Sequence, residues 1–323
     1  METQSSNTVL VTGALGCIGA WVVAHLLAQG DRVISFDLDD RGHRLDLLLT
    51  ADEQARITFV RGDLSNPAHV LDVFQAYPIT HVIHLAALQV PLCKADPIRC
   101  AQVNVVGTVN VFEAARQTGV HHIAYASSIA VYGSPDLYPP GLVAGDAPLA
   151  PRTLYGVFKQ ANEGIARIYW EDYGISSVAL RPYTVYGVGR DQGLTSDPTR
   201  AMLAAAAGRP YHIKFGGRLQ YQLASDVALQ FIEAARAPLN GAHMFNLGGE
   251  VASMDELVEL IRRVKADAAI THDDAPLPFP IGCDDRDLRE HIGRTYTTPL
   301  AEGVRQTIEH FERLLAGGHL RAS

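Results

Sequence analysis

The chain has 323 residues, 47% of them apolar and 19% charged, enough to bury a sizeable core and too apolar for a disordered chain. Its 27 basic and 35 acidic residues leave a net charge of −8, so no basic face and no nucleic-acid partner are expected. No run nears the ~18 apolar residues of a membrane span, and the opening Met-Glu-Thr-Gln-Ser-Ser-Asn has none of the basic or apolar character of a secretory leader. The four Cys, at 17, 93, 100 and 283, contain no C-x-x-C pair and read as reduced thiols of a cytoplasmic protein.

In chain order, the first half alternates two periods. Short apolar runs at Thr8–Thr12, Arg32–Asp37, Ile57–Arg61, His81–Leu85 and His122–Ala126 read as strands buried on both faces. Helical patterns fall between them at Gly16–Gln29, Pro67–Ala76 and Cys100–Thr118. Strand–helix–strand repetition at this spacing predicts an α/β fold, a doubly wound parallel sheet. Ser134–Pro151 holds five Pro and reads as a surface loop, a candidate lid. A long helix at Leu154–Tyr173 and a strand at Ser177–Leu180 follow, then helices at Pro198–Ala207 and Asp226–Ala235 and a last sheet strand at His243–Leu247. Met254–Val264 and Leu300–Leu315 are amphipathic helices separated by Pro- and Asp-rich chain. Two domains are expected: 1–184 with 222–249 for a dinucleotide, and a smaller, discontinuous substrate domain, 185–221 with 250–323.

Thr12-Gly13-Ala14-Leu15-Gly16-Cys17-Ile18-Gly19 joins the first strand to the first helix. Gly13, Gly16 and Gly19 let the backbone approach a pyrophosphate, and the helix start at Cys17 and Ile18 supplies free N–H groups. Asp37, eighteen residues past Gly19 at the second strand's end, suits an adenosine ribose and repels a 2′-phosphate, so NAD is expected over NADP. Arg32 and Arg41 weigh against that choice. Asp63 and Leu64 follow the third strand, where the adenine edge should lie; the other reading of Asp63 is an N-cap for the helix at Pro67. Leu85, Ala86 and Ala87 end the fourth strand with small side chains that leave room for a cofactor.

Tyr155 and Lys159 are four apart on one helix and share a face. A phenol titrates at about 10, and an ammonium one turn away, beside an oxidised nicotinamide, favours the phenolate. Tyr155 then takes the proton of a substrate hydroxyl held by Ser128, at the end of the fifth strand.

These motifs together resemble the extended short-chain dehydrogenase/reductases, in their NAD-dependent epimerase/dehydratase group. The matching residues are TGALGCIG at 12–19, Asp37, Gly62-Asp63-Leu64, His84-Leu85-Ala86-Ala87, Asn104, Ser127-Ser128-Ile129-Ala130-Val131-Tyr132-Gly133, Tyr155-Gly-Val-Phe-Lys159 and Arg181-Pro182. The resemblance implies the Rossmann fold, NAD, and the catalytic set Ser128, Tyr155 and Lys159, with Lys159 on the nicotinamide ribose. It carries over Asn104 as a cofactor-region residue, with a buried Asn bracing the fourth strand as the equal alternative. It places Pro182 near the nicotinamide, Ser127 and Thr184 beside the substrate, and a homodimer on helices Cys100–Thr118 and Leu154–Tyr173.

The chain departs from the family's dehydratases, which resemble one another in carrying Asp-Glu after the catalytic hydroxyl; here Ile129 and Ala130 follow Ser128, and dehydration is excluded. Dehydrogenation and epimerisation share their first half-reaction and both remain. Thr184 stands where nucleotide-sugar enzymes usually have Asn, and the stretch Gly216–Leu223 offers Arg218 only near their pyrophosphate-gripping Arg slot. That loss of a strong charge-assisted contact points to a smaller substrate, a sugar, sugar acid or similar polyol, and tips the balance to dehydrogenase. A cofactor-bound sensor without turnover is the remaining reading, disfavoured by the presence of both Tyr155 and Lys159. Arg190 is a candidate carboxylate binder, or else a loop ion pair near Asp191; Gln89 is a candidate substrate contact, or else a solvated loop residue. The His pairs 121/122 and 81/84 have no companions at ligand spacing and no metal is expected.

Overall fold

The computed structural model describes residues 7–40 and 42–320; Arg41 lies outside the described residues. Seven parallel strands form the central sheet: β1 Thr8–Thr12, β2 Arg32–Asp37, β3 Thr58–Arg61, β4 His81–His84, β5 His122–Ala126, β6 Ser176–Arg181 and, after three strands of smaller sheets, β10 Ala242–Asn246. All five residues of β1 are buried, as its unbroken apolar run dictates. The sheet order β10-β6-β5-β4-β1-β2-β3 reverses direction between β1 and β4. In open α/β sheets ligands bind outside the carboxyl ends of the strands at such a switch point.

Helices cover both faces with separate apolar cores. Helix Cys17–Ala28 and helix Ala224–Arg236 bury Val22, Leu26, Val227 and Phe231 on one face. Val70, Phe74, Val111 and Phe112 pack on the other. Gly30, at φ 84°, turns the chain out of the first helix into β2, a conformation only glycine adopts at low cost.

The expected helix at Cys100–Thr118 is three pieces. Helix Pro97–Ala101 runs into a π-helical turn at Gln102–Val106 and then into helix Gly107–Thr118. Within this turn the Asn104 carbonyl accepts from Thr108 Oγ1 at 2.8 Å and Asn162 Nδ2 at 2.9 Å. The expectation of four reduced thiols needs correction. Cys93 lies in a short helix, Val90–Ala95; Asp96 and Pro97 then turn the chain and start the next helix, which brings Cys100 to a Cα distance of 4.9 Å from Cys93, and the two are disulfide-bonded. Cys17 and Cys283 are free.

Beyond β6, β7 Thr184–Tyr186 pairs in parallel with β9 Arg218–Leu223, which pairs antiparallel with β11 Glu250–Ser253. β8 Tyr211–Ile213 and β12 Ile270–His272 form a separate parallel pair. A third core, including Met202, Leu257, Ile261, Val304 and Ile308, lies among helices Asp197–Ala206, Met254–Val264 and Leu300–Ala316. The Pro-rich segment is pinned at its middle: Val143 bridges Cys283, taking a bond from Asp284 N at 2.9 Å and giving one to Gly282 O at 3.0 Å.

Candidate active site

The carboxyl ends of β1 to β6 converge on one continuous depression. Its larger part, about 510 Å³, is lined by the turn after β1, by Asp37 and Asp63, and by Leu85–Gln89, within the size of small-molecule and cofactor clefts. Its smaller part, about 160 Å³, is lined by Ser128, Tyr155, Lys159, Pro182, Arg190, Thr195 and Phe279 among others. Ile18, Leu85, Ala87, Gln89, Ala126 and Arg190 line both.

The glycines of the first turn are there for space. Gly13 stands at φ 68°, and a β-carbon on it would come within 2.6 Å of the Ala86 backbone. A β-carbon on Gly19 would run into the carbonyl oxygen of Gly13. Gly16 is the N-cap of helix Cys17–Ala28 and has no side chain to satisfy the first turn, so the partial positive charge of that end faces the cleft with Cys17 and Ile18. Asp37 braces the same turn, its carboxylate accepting from Leu15 N at 3.0 Å and Leu38 N at 2.8 Å. Burial lifts the Asp37 carboxyl above its ordinary value, against these bonds. An anion seat and a carboxylate one strand over fit the pyrophosphate and ribose of a dinucleotide. Asp63 does not cap the helix at Pro67; Asn66 does, through Ala68 N. Asp63 instead lines the groove and is held by Ser65 and by Arg99 at 2.7 Å. Leu64 lines the groove beside it.

Thr153 caps helix Leu154–Tyr173 by accepting from Gly156 N at 3.0 Å, which fixes the first turn that carries Tyr155. Burial pushes the Tyr155 phenol above its ordinary value, while a hydrogen bond with Ser128 and the charge of Arg190 pull it down. Lys159 is not among the groups that shift the phenol here. Its ammonium donates to the Ala126 carbonyl at 2.6 Å and lies 5.7 Å from the Tyr155 ring centre. Burial lowers the amine to about 8, with Glu163 holding it up.

Ser127, Thr184 and Asn104, expected near substrate or cofactor, are all buried. Ser127 lines the inner pocket and donates its hydroxyl to Glu163 at 2.6 Å, which ties it to the buried pair of Glu163 with Arg181. Thr184 is fully buried in β7 and lines neither part of the depression. Asn104 takes the bracing alternative: Oδ1 accepts from Leu88 N at 2.8 Å and Nδ2 donates to Leu88 O at 2.9 Å, shaping the wall after β4 from behind. His84 is a satisfied sheet histidine, between Thr12 and Thr108. Arg32 lies over the Tyr77 ring.

Glu163 and Arg44 are the functional neighbours that sequence reading missed. Glu163 had a signal, standing four residues after Lys159 on the same face. Arg44 comes from a four-residue helix, His43–Asp46, with no periodicity to announce it. Phe279 sits in the Pro-rich stretch before Cys283 and had none.

Residues 9–248 match the model of the NAD dependent epimerase/dehydratase family. The chain is 32% identical over 317 residues to a UDP-glucose 4-epimerase of Mycolicibacterium smegmatis, covering 94% of this chain and 97% of that one. Among solved structures it is similar to the UDP-glucose 4-epimerase of Thermus thermophilus complexed with NAD (29% identity, TM-score 0.80, 94% and 98% of the two chains). It is also similar to a monomeric L-threonine 3-dehydrogenase from a metagenome (25% identity, TM-score 0.83, 95% and 99%). With this match spanning the glycine turn, the cleft and the Ser–Tyr–Lys cluster, the chain belongs to the NAD-dependent epimerase/dehydratase family and is an NAD-dependent enzyme of the extended short-chain dehydrogenase/reductase type.

Proposed function

We propose that the enzyme oxidises a secondary alcohol of a small sugar, sugar acid or similar polyol. The observation that carries this reading is the presence of Ser128, Tyr155 and Lys159 together in a pocket that shares its wall with the dinucleotide groove. NAD, when bound, supplies the hydride acceptor. The chain's own groups do the rest. Ser128 holds the substrate hydroxyl and the Tyr155 oxygen takes its proton. Lys159, an amine that exchanges protons near pH 8, stands one helical turn behind. Gly13, Gly16, Cys17, Ile18 and Gly19 seat the pyrophosphate, Asp37 the ribose, Asp63 and Leu64 the adenine end. Leu85, Ala86, Ala87 and Pro182 wall the nicotinamide end; Gln89 and Arg190 face the substrate.

A small substrate is supported by the cations at hand. Among the described residues, Lys159 and Arg190 are the Lys and Arg that line the inner pocket. Arg218, nearest to the pyrophosphate-gripping position, lies 3.5 Å from Glu256 and donates to the Val251 carbonyl on an exposed edge. The second reading, epimerisation of a nucleotide-sugar, is favoured by the near full-length likeness to a UDP-glucose 4-epimerase. Nicotinamide absorbance separates them: accumulation of NADH with a sugar or sugar acid supports oxidation. Interconversion of UDP-glucose and UDP-galactose without net NADH supports the second reading and overturns the first.

We also infer the two-domain division stated above, with β7, β8, β9, β11 and β12 on the substrate side. A homodimer through helices Gly107–Thr118 and Leu154–Tyr173 is supported by exposed Leu154, Val157, Ile168 and Tyr173 on the latter and by Val106 beside the former; light scattering tests it. A cytoplasmic setting is supported by dependence on NAD, a cofactor kept inside cells. Among the described residues no helix is long and apolar enough to cross a membrane.

A further inference from the structure

We propose that Arg190 is a carboxylate-recognition site, so that the preferred alcohol is a hydroxy acid and not a neutral polyol. The inference rests on the reading of the inner pocket as the place of alcohol oxidation, and narrows its substrate class.

Arg190 lies on the loop that follows β7 and bends at Gly187, Gly189 and Gly193, all with positive φ. The loop is held from outside. Arg44 donates to Gly189 O at 3.0 Å, to Leu15 O at 3.1 Å and to Asp191 Oδ1 at 2.6 Å. His43 lies 2.8 Å from the other oxygen of Asp191. The one acid adjacent in sequence is thereby engaged elsewhere, and the loop ion pair foreseen as the alternative for Arg190 is not made. No carboxylate lies within ion-pair distance of Arg190 among the described residues.

Among the described residues its guanidinium keeps unused N–H donors. Nε is buried and has no hydrogen-bond partner there; Nη2 reaches the Thr195 hydroxyl at 3.3 Å. A buried donor without an acceptor is costly, and a planar fork of N–H groups is matched by two oxygens on one carbon. Gln89 converges on the same spot. A β-carbon on Gly193 would collide with Gln89 Oε1 and stand 3.0 Å from Arg190 Nη2, so glycine there leaves room for both side chains. Arg190, Gln89, Ser128 and Tyr155 line one pocket, and one small molecule can span them.

The cofactor pyrophosphate is the other anion within reach, because Arg190 also lines the larger groove. The helix start at Gly16–Ile18 already serves that group, whereas Thr195, to which Arg190 is tied, lines the inner pocket alone.

The test compares matched probes: D-galacturonate against D-galactose, and D-threonate against D-threitol, with wild type, Arg190→Met and Arg190→Lys. Charge-assisted hydrogen bonds of this kind are worth about 10–100-fold. Wild type is expected to favour the acids in kcat/KM by about that factor. Arg190→Met should bring the acid-to-neutral ratio to within about threefold of one, and Arg190→Lys should fall between. A readout independent of turnover is calorimetric titration of the acids into Tyr155→Phe enzyme loaded with NADH, alone and combined with Arg190→Met. Acid binding that needs Arg190 supports the site even where no probe is oxidised, a result that would overturn the oxidation reading instead. A ratio unchanged by Arg190→Met, or a loss of NAD affinity as large as the loss of acid affinity, overturns the carboxylate site.

Discussion

Replacing Glu163 with Gln disturbs both the scaffold under the site and the charge balance within it. Glu163 and Arg181 are 4% and 3% exposed and paired twice, Nε to Oε1 and Nη2 to Oε2, each at 2.8 Å. Breaking such a pair from one side leaves a buried charge and costs about 3–5 kcal/mol. Arg181 keeps the Tyr132 oxygen at 2.6 Å and the Gly145 carbonyl at 2.9 Å, so we expect the lower end, about 3 kcal/mol. At about 2.1 cal/mol/K of unfolding entropy per residue, that lowers Tm by about 4–5 °C. The same change removes the charge that holds Lys159 up. The amine then gives up its proton more readily, and the limb of the kcat/KM profile that reports it moves to lower pH. Thermal melts of Glu163→Gln, Arg181→Met and the Glu163→Leu/Arg181→Met double variant, with rate profiles of the first, measure all of this. The double variant should be less destabilised than the sum of Glu163→Leu and Arg181→Met, each melted alone. A Glu163→Gln protein within about 0.5 kcal/mol of wild type, or a limb that moves upward, would refute the reasoning.

Gly19→Ala drives a methyl against the Gly13 carbonyl; at an overpacking cost of about 1–3 kcal/mol, NAD affinity by calorimetry should fall about 10–100-fold, and unchanged affinity contradicts the turn's role. Asp37→Asn should narrow the preference for NAD over NADP, read from the two dissociation constants; an unaltered ratio removes Asp37 from the ribose site. His84 titrates near 3 in the folded protein and 6.5 as the free group, lowered by burial and then by the Lys159 charge. Stability is therefore unaffected by it above pH 6.5 and falls by about 1.4 kcal/mol per pH unit below that. Urea melts between pH 7 and pH 5 should show His84→Gln with a slope smaller by about one proton; equal slopes count against a neutral His84.

The parallel sheet was legible because both of its signals are local. Unbroken apolar runs mark doubly buried strands, and glycines such as Gly30 end helices. The shared position of Ser128, Tyr155 and Lys159 around one pocket was readable in the same way, since strand ends and helix faces place them without further help. Other details depend on partners from distant elements. The hydroxyl of Ser127 points where Glu163 draws it, thirty-six residues on. Asn104 turns to Leu88 because a π-helical turn interrupts a sequence that reads as one helix. Cys93 and Cys100 meet only because Asp96 and Pro97 fold the chain back between them. Arg190 was named from sequence, but its unpaired state follows from Arg44 and His43 claiming Asp191.

The most direct measurement on the catalytic claim is a paired assay of Tyr155→Phe: NADH formation with the preferred alcohol, and NAD binding by calorimetry on the same sample. Loss of the phenol oxygen should cut turnover by at least about 100-fold, the low end of what positioned acid–base groups contribute, while the NAD dissociation constant stays within about threefold. Turnover near the wild-type rate with NAD still bound would mean that another group moves the proton.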